Sequence, residues 1–182
     1  MTISAEDRSE LVALARSAVE AEVSGKPLPK PQKLEGVLGE IRGCFVTLTN
    51  GDRLRGCIGT FQPRAPLGEM IVEMGSAAAR DPRFVFNAIT TGELPELTVQ
   101  VSVLSPLEET RNPEQLEVGK HGIYVICGQR AGCFLPEVAT DQGWTAEQFL
   151  TECCRGKAGL PGDAWRMEGT KVFLFTSEKF TE

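Results

Sequence analysis

The stretch Cys44-Phe45-Val46-Thr47-Leu48-Thr49-Asn50-Gly51-Asp52-Arg53-Leu54-Arg55-Gly56-Cys57-Ile58-Gly59-Thr60 sets two alternating runs around Asn50-Gly51. Successive side chains of a strand point to opposite faces, and Asn-Gly supplies the positive φ of a tight turn, so the stretch reads as an antiparallel hairpin. Two registers compete. A two-residue Asn50-Gly51 loop pairs Leu48 with Arg53 and Val46 with Arg55, mixing charge into an apolar face. A three-residue loop through Asp52 pairs Leu48 with Leu54 and Val46 with Gly56, and sets Cys44 opposite Ile58. A one-residue slip exchanges the faces of a strand, so the burial pattern favours the second register, with Val46, Leu48, Leu54 and Ile58 on one buried face. Cys57 then points to the other face, beside Arg55 and Arg53.

Outward from the hairpin, residues 4 to about 24 read as a helix: Ser4 caps it with Asp7 three residues on, and Leu11, Leu14, Ala15, Ala18 and Val19 recur at helical spacing up to Gly25. Prolines 27, 29 and 31 then force an extended connector too short to separate independent domains. A helix from Pro66 to Ala79 carries Leu67, Met70, Ile71, Met74 and Ala78 on one side and stops at Asp81-Pro82. Residues 97–104 alternate with period two as a strand, 123–127 and 133–135 flank a second hairpin, Trp144 to Cys153 is a short helix started by Thr145 and Glu147, and 172–175 is a last strand. Hairpin-linked strands with helices packed on them make an α+β chain with a mainly antiparallel sheet and flanking helices.

Composition narrows the function classes. A chain of 182 residues, 41% hydrophobic and 24% charged, is of the size and apolar content that build one folded domain, here 1–182. Nineteen Lys and Arg stand against 25 Asp and Glu, a net charge of -6, so no global positive field draws in nucleic acid. The arginines at 53, 55, 64, 80 and 83 are read by default as solvated surface. Met1 to Asp7 has no basic and apolar leader and no apolar run reaches a bilayer's width, so a cytoplasmic, untethered protein is expected, with its six cysteines as reduced thiols. With one histidine and no Cys-x-x-Cys or His-x-x-x-His, zinc lacks its usual ligand pairs, and no metal or cofactor is expected. Adjacent Cys153 and Cys154 point about 100° apart on a helix, and at least one is expected to be buried and inert.

Leu54-Arg55-Gly56-Cys57-Ile58-Gly59-Thr60 resembles the LRGCIGT motif of the AMMECR family. Ala78-Ala79-Arg80-Asp81-Pro82-Arg83-Phe84 resembles a second family block, and 101–104, 119–123, 134–139 and 157–160 follow in the family's order, so the resemblance spans nearly the whole chain. It implies a two-lobed α+β fold with intimately packed lobes, no independent domain boundary, and the cysteine motif near a cleft. It also implies a molecular activity that is not established, and partners of Memo type and of radical S-adenosylmethionine type.

The candidate catalytic residues are Cys57 and His121. Cys57 stands between glycines, and Arg55, two residues away on the same face, would favour a thiolate; against this, a free cysteine is often a small buried hydrophobe and the glycines can serve a bulge or close packing. His121 is the chain's single histidine, a group that titrates near neutrality, or else a turn residue bonded to backbone. Arg55, Gly56, Gly59, Asp81, Arg83 and Glu137 are the candidate substrate-binding residues. Asp81 and Arg83 either orient a polar substrate or form a structural ion pair. Two functions of different class follow: an enzyme or enzyme component binding a small polar substrate in the inter-lobe cleft with Cys57 as reactive thiol, or a non-catalytic partner of a Memo-type or radical enzyme.

Overall fold

A computed structural model describes residues 2–182. The chain forms two compact units, the first made of residues up to Leu104 together with Glu178–Glu182, the second of Ser105–Ser177. Antiparallel pairing dominates and helices pack on the strands, the α+β class expected from the hairpin pattern.

In the first unit, helix α1 (Ala5–Val23) begins where Ser4 accepts the amide of Asp7 and ends before Gly25, which takes a φ of 65°. Strands β1 (Cys44–Asn50) and β2 (Arg53–Thr60) form the hairpin, helix α2 (Leu67–Ala79) follows Pro66, and strand β3 (Leu97–Leu104) pairs with β1. The core is the stripe read from the sequence: Leu11, Ala15, Ala18 and Val19 of α1 and Leu67, Met70, Ile71, Met74 and Ala78 of α2 are buried with Val46, Leu48, Val99, Val101 and Val103. The two helices cross closely because Gly75 has no side chain; a Cβ there would stand 3.1 Å from the carbonyl oxygen of Ala15.

The second unit holds β4 (Glu108–Thr110), β5 (Gly122–Cys127), β6 (Arg130–Phe134), helices α3 (Pro136–Gln142) and α4 (Ala146–Glu152), and β7 (Thr170–Phe175), in the sheet order β4-β7-β5-β6. The second hairpin turns at Gly128-Gln129, and the short helix starts with a capping box between Thr145 and Gln148. A π-helical turn, Cys153–Ala158, continues α4 and buries both Cys153 and Cys154. Finally β8 (Ser177–Thr181) joins the first sheet, whose order is β2-β1-β3-β8. Its Glu178 accepts from the amide of Ile3 and from Arg8, tying the chain's end to the start of α1.

The first hairpin takes neither expected register. Asn50 pairs with Arg53 across a Gly51-Asp52 loop, Gly51 having a φ of 54°, and Thr49 pairs with Leu54. The next rung sets Leu48 against Gly56, so Arg55 is an extra residue, and beyond it Thr47 faces Cys57, Val46 faces Ile58 and Cys44 faces Thr60. A bulge of this kind re-aims the side chain it carries. Val46 and Leu48 are fully buried and Ile58 packs against them, as expected; Leu54, on the loop side of the bulge, is 37% exposed and leaves the apolar face. Arg55, read by default as solvated, is 2% exposed.

Candidate functional site

Arg55, Gly56 and Gly59 of the 55–59 motif each have an identifiable packing task. Arg55 at the bulge donates through Nε and Nη2 to the two carboxylate oxygens of Glu93, at 2.5 and 2.9 Å, and through Nη2 to the carbonyl of Asn87 at 3.0 Å. A planar guanidinium suits this two-point pairing, which makes a buried charge tolerable. The bond to Arg55 holds Glu93 below the usual carboxylate range, and Arg55 is held charged by the same bond. Gly56 lies against the end of α2: a Cβ there would sit 2.1 Å from the carbonyl oxygen of Ala78. Gly59 lies under the ring of Phe45, where a Cβ would come within 2.2 Å.

The residues after α2 complete the cluster. Asp81, 3% exposed, accepts from the amide of Cys57 at 2.9 Å and from that of Arg83 at 3.0 Å, and receives the Arg83 guanidinium on both oxygens. The Arg83 bonds, helped by the two amides against the cost of burial, lower its pKa to about 2. Arg83 also donates through Nη2 to the carbonyl of Cys57 at 3.1 Å, so Asp81 and Arg83 bracket the peptide of one residue. Asp81 and Arg83 thus form an ion pair. The guanidinium that reaches Cys57 is that of Arg83; Arg55, expected beside the thiol, is instead committed to Glu93. The bulge accounts for the difference, because it turns Arg55 out of the strand's simple alternation.

Cys57 itself is half-buried, and its Sγ lies 3.1 Å from Oγ1 of Thr47 across the hairpin. Of the remaining thiols, Cys44, Cys153 and Cys154 are buried, and burial raises Cys44 to about 12 and pushes Cys153 up as well. Cys127 and Cys133 are half-buried, and burial raises Cys133.

Arg55, Gly56, Cys57, Asp81 and Arg83 are therefore brought together, with Gly59 farther along the same strand. His121 and Glu137 belong to the second unit. His121 accepts the amide of Glu117 on Nδ1 at 2.9 Å, a turn-closing bond, and Glu137 lies in the first turn of α3. Among the described residues no three His, Cys, Asp or Glu side chains gather as a metal site. No described helix is long and apolar enough to cross a membrane.

A pocket of about 580 Å³ opens in the first unit at the C-terminal ends of α1 and α2. Arg55 and Asp81 contribute to its wall with Glu22, Arg80, Phe84 and Ile89. Sequence reasoning missed three members of this neighbourhood. Glu93, 38 residues beyond Arg55, sits outside every quoted block. Phe84 lies at the end of a block, but its ring stacks 5.6 Å from the Arg83 guanidinium and 6.0 Å from that of Arg55. Glu22, at the polar end of α1, pairs with Arg80 at 3.0 Å and accepts from Ser76.

Comparison with known proteins agrees with the motif. The model of the AMMECR1 family matches residues 12–180. A protein of Methanothermobacter thermautotrophicus is 40% identical, over 99% of this chain and 96% of its own length, and protein MJ0810 of Methanocaldococcus jannaschii is 38% identical, over 97% and 90%. The crystal structure of the uncharacterised protein PH0010 from Pyrococcus horikoshii superposes with a TM-score of 0.87 at 40% identity, covering 99% of this chain and 93% of that one. A family match across nearly all of the chain, joined to relatives of this similarity, shows that the chain belongs to the AMMECR1 family.

Proposed function

We propose that this chain is a component of an enzyme system that holds a small polar molecule at the first hairpin, with Cys57 as the thiol presented to it. One observation carries the reading. The charged groups of the motif are committed to one another, Arg55 to Glu93 and Asp81 to Arg83, whereas the half-buried Cys57 Sγ has a hydroxyl for its partner. Asp81 is no base for that thiol: with its pKa near 2 and its oxygens engaged by Arg83 and two amides, it takes no proton at neutral pH. Its geometry suits holding the Cys57 backbone still. A thiol positioned without a dedicated base in its own hairpin fits a component that binds or presents a group better than a self-contained thiol hydrolase. Native mass spectrometry of wild type and Cys57→Ser tests this. A small-molecule mass carried by the wild type and lost from the variant is expected; equal retention by both would remove Cys57 from the site.

A second reading has its own support. Val85 and Phe86, neighbours in the 3-10 turn Pro82–Asn87, are 65% and 103% exposed, and this turn buries none of its residues. Large exposed apolar side chains side by side suit a protein contact. The partners implied by the family resemblance, a Memo-type protein and a radical S-adenosylmethionine protein, are the ones to assay. Binding of either, weakened at least several-fold by Phe86→Ser, is the expected result; undiminished binding by the variant counts against this surface.

A further inference from the structure

The pocket at the ends of α1 and α2 is a separate feature, since Cys57 does not contribute to its wall. Its volume, about 580 Å³, falls within the range of small-molecule sites, and Val23, Phe84, Val85, Ala88 and Ile89 give it an apolar lining. Within that wall stands one unsatisfied polar group. Nη1 of Arg55 is shut off from solvent and has no hydrogen-bond partner, although Nε and Nη2 of the same side chain are fully used. Buried donors are ordinarily paired, so an unpaired donor of a lining residue, reached by a small shift of its neighbours, suits an acceptor.

The charges around the pocket decide what kind of acceptor. Arg55 is matched by Glu93, Arg80 by Glu22 and Asp81 by Arg83. A carboxylate or phosphate arriving here would bring an uncompensated charge against an apolar lining whose cations are already paired, at a desolvation cost that a neutral carbonyl does not incur. Phe84 lines the pocket beside Arg55: its ring centroid lies 6.0 Å from the Arg55 Cζ, and its backbone (φ -115°, ψ 17°) interrupts the 3-10 turn Pro82–Asn87. With no residue of that turn buried, the ring can swing without breaking core packing.

We propose that this pocket binds a small uncharged molecule with an apolar body and one carbonyl oxygen, which accepts from Arg55 Nη1 as the Phe84 ring moves aside. The test titrates the full chain with hydrocinnamamide and with its acid, hydrocinnamate, at neutral pH. The expected result is saturable binding of the amide with a Kd at or below about 1 mM, a value ordinary for a fragment of this size. It should bind about three- to tenfold more tightly than the acid, which must give up hydration of its charge to enter. Ala88→Trp, which adds bulk to the lining, should abolish binding, Arg55→Lys, which removes the Nη1 donor, should weaken the amide about three- to tenfold, the span of one net hydrogen bond, and Cys57→Ser should leave the affinity unchanged. Absence of saturable amide binding, an acid that binds as tightly, or an Ala88→Trp chain that binds like wild type would overturn the proposal. Weakening by Cys57→Ser would overturn it too, by moving the probe to the hairpin thiol.

Discussion

Replacing Asp81 with asparagine removes one negative charge from the most densely bonded point of the motif. Asp81 is 3% exposed, accepts two backbone amides and the Arg83 guanidinium, and its pKa falls to about 2. A group whose folded pKa is depressed contributes stability that is fully present above its unfolded pKa of about 3.9 and is lost as the pH falls toward the folded value. A depression of this size corresponds to about 2 kcal/mol at neutral pH, of which about half is gone by about pH 3. Arg83, with 55% of its side chain exposed, can be solvated once its partner is neutral, so freeing it adds little. Asp81→Asn should therefore cost about 2 kcal/mol at about pH 7, and the gap to wild type should shrink by about half at about pH 3. Urea unfolding of both proteins across that range reads the difference. A variant as stable as wild type at neutral pH, or a gap that stays constant down to about pH 3, would refute the assignment of Asp81 as the charged clamp on Cys57.

Other expectations follow from the same contacts. Gly56→Ala places a Cβ 2.1 Å from the Ala78 carbonyl oxygen, a backbone atom that cannot turn away, and should destabilise by about 3 kcal/mol or more in chemical unfolding. Glu93→Ala leaves the Arg55 guanidinium buried with its main partner gone, and the loss should be about 3–5 kcal/mol, well above that for removing the surface partner Glu147 of Arg166; equal losses for the two would mean that the Arg55 pair is not sealed.

Much of the architecture was legible because it rests on local signals. Ser4, Gly25, Pro66 and Asp81-Pro82 bound α1 and α2 through capping and breaking chemistry that acts within a few residues, and the apolar stripes between them are the buried ones. The hairpin register was not legible, because it turns on a bulge. Periodicity assumes one residue per rung, and the extra residue at Arg55 becomes visible only when Leu48 is seen to face Gly56. For the same reason simple alternation puts Arg55 beside the thiol and hides its burial against Glu93. Even so, Cys57 sits opposite Thr47 rather than among Val46, Leu48 and Ile58, as its expected face requires. Helix α3, covered by a family block, had no separate helical reading because seven residues starting at a proline carry too little periodicity.

The central claim is that the motif's charges form structure while Cys57 is left available, and timed alkylation of the native chain, read by peptide mass spectrometry, tests it most directly. Cys57 is half-buried, whereas Cys44, Cys153 and Cys154 are buried, with burial raising Cys44 to about 12. Modification at Cys57 should precede modification at Cys44, Cys153 and Cys154 by about tenfold or more in rate, since a buried thiol reacts only through opening of the fold. Cys57 reacting as slowly as Cys44 under native conditions would make it a packing residue and contradict the account.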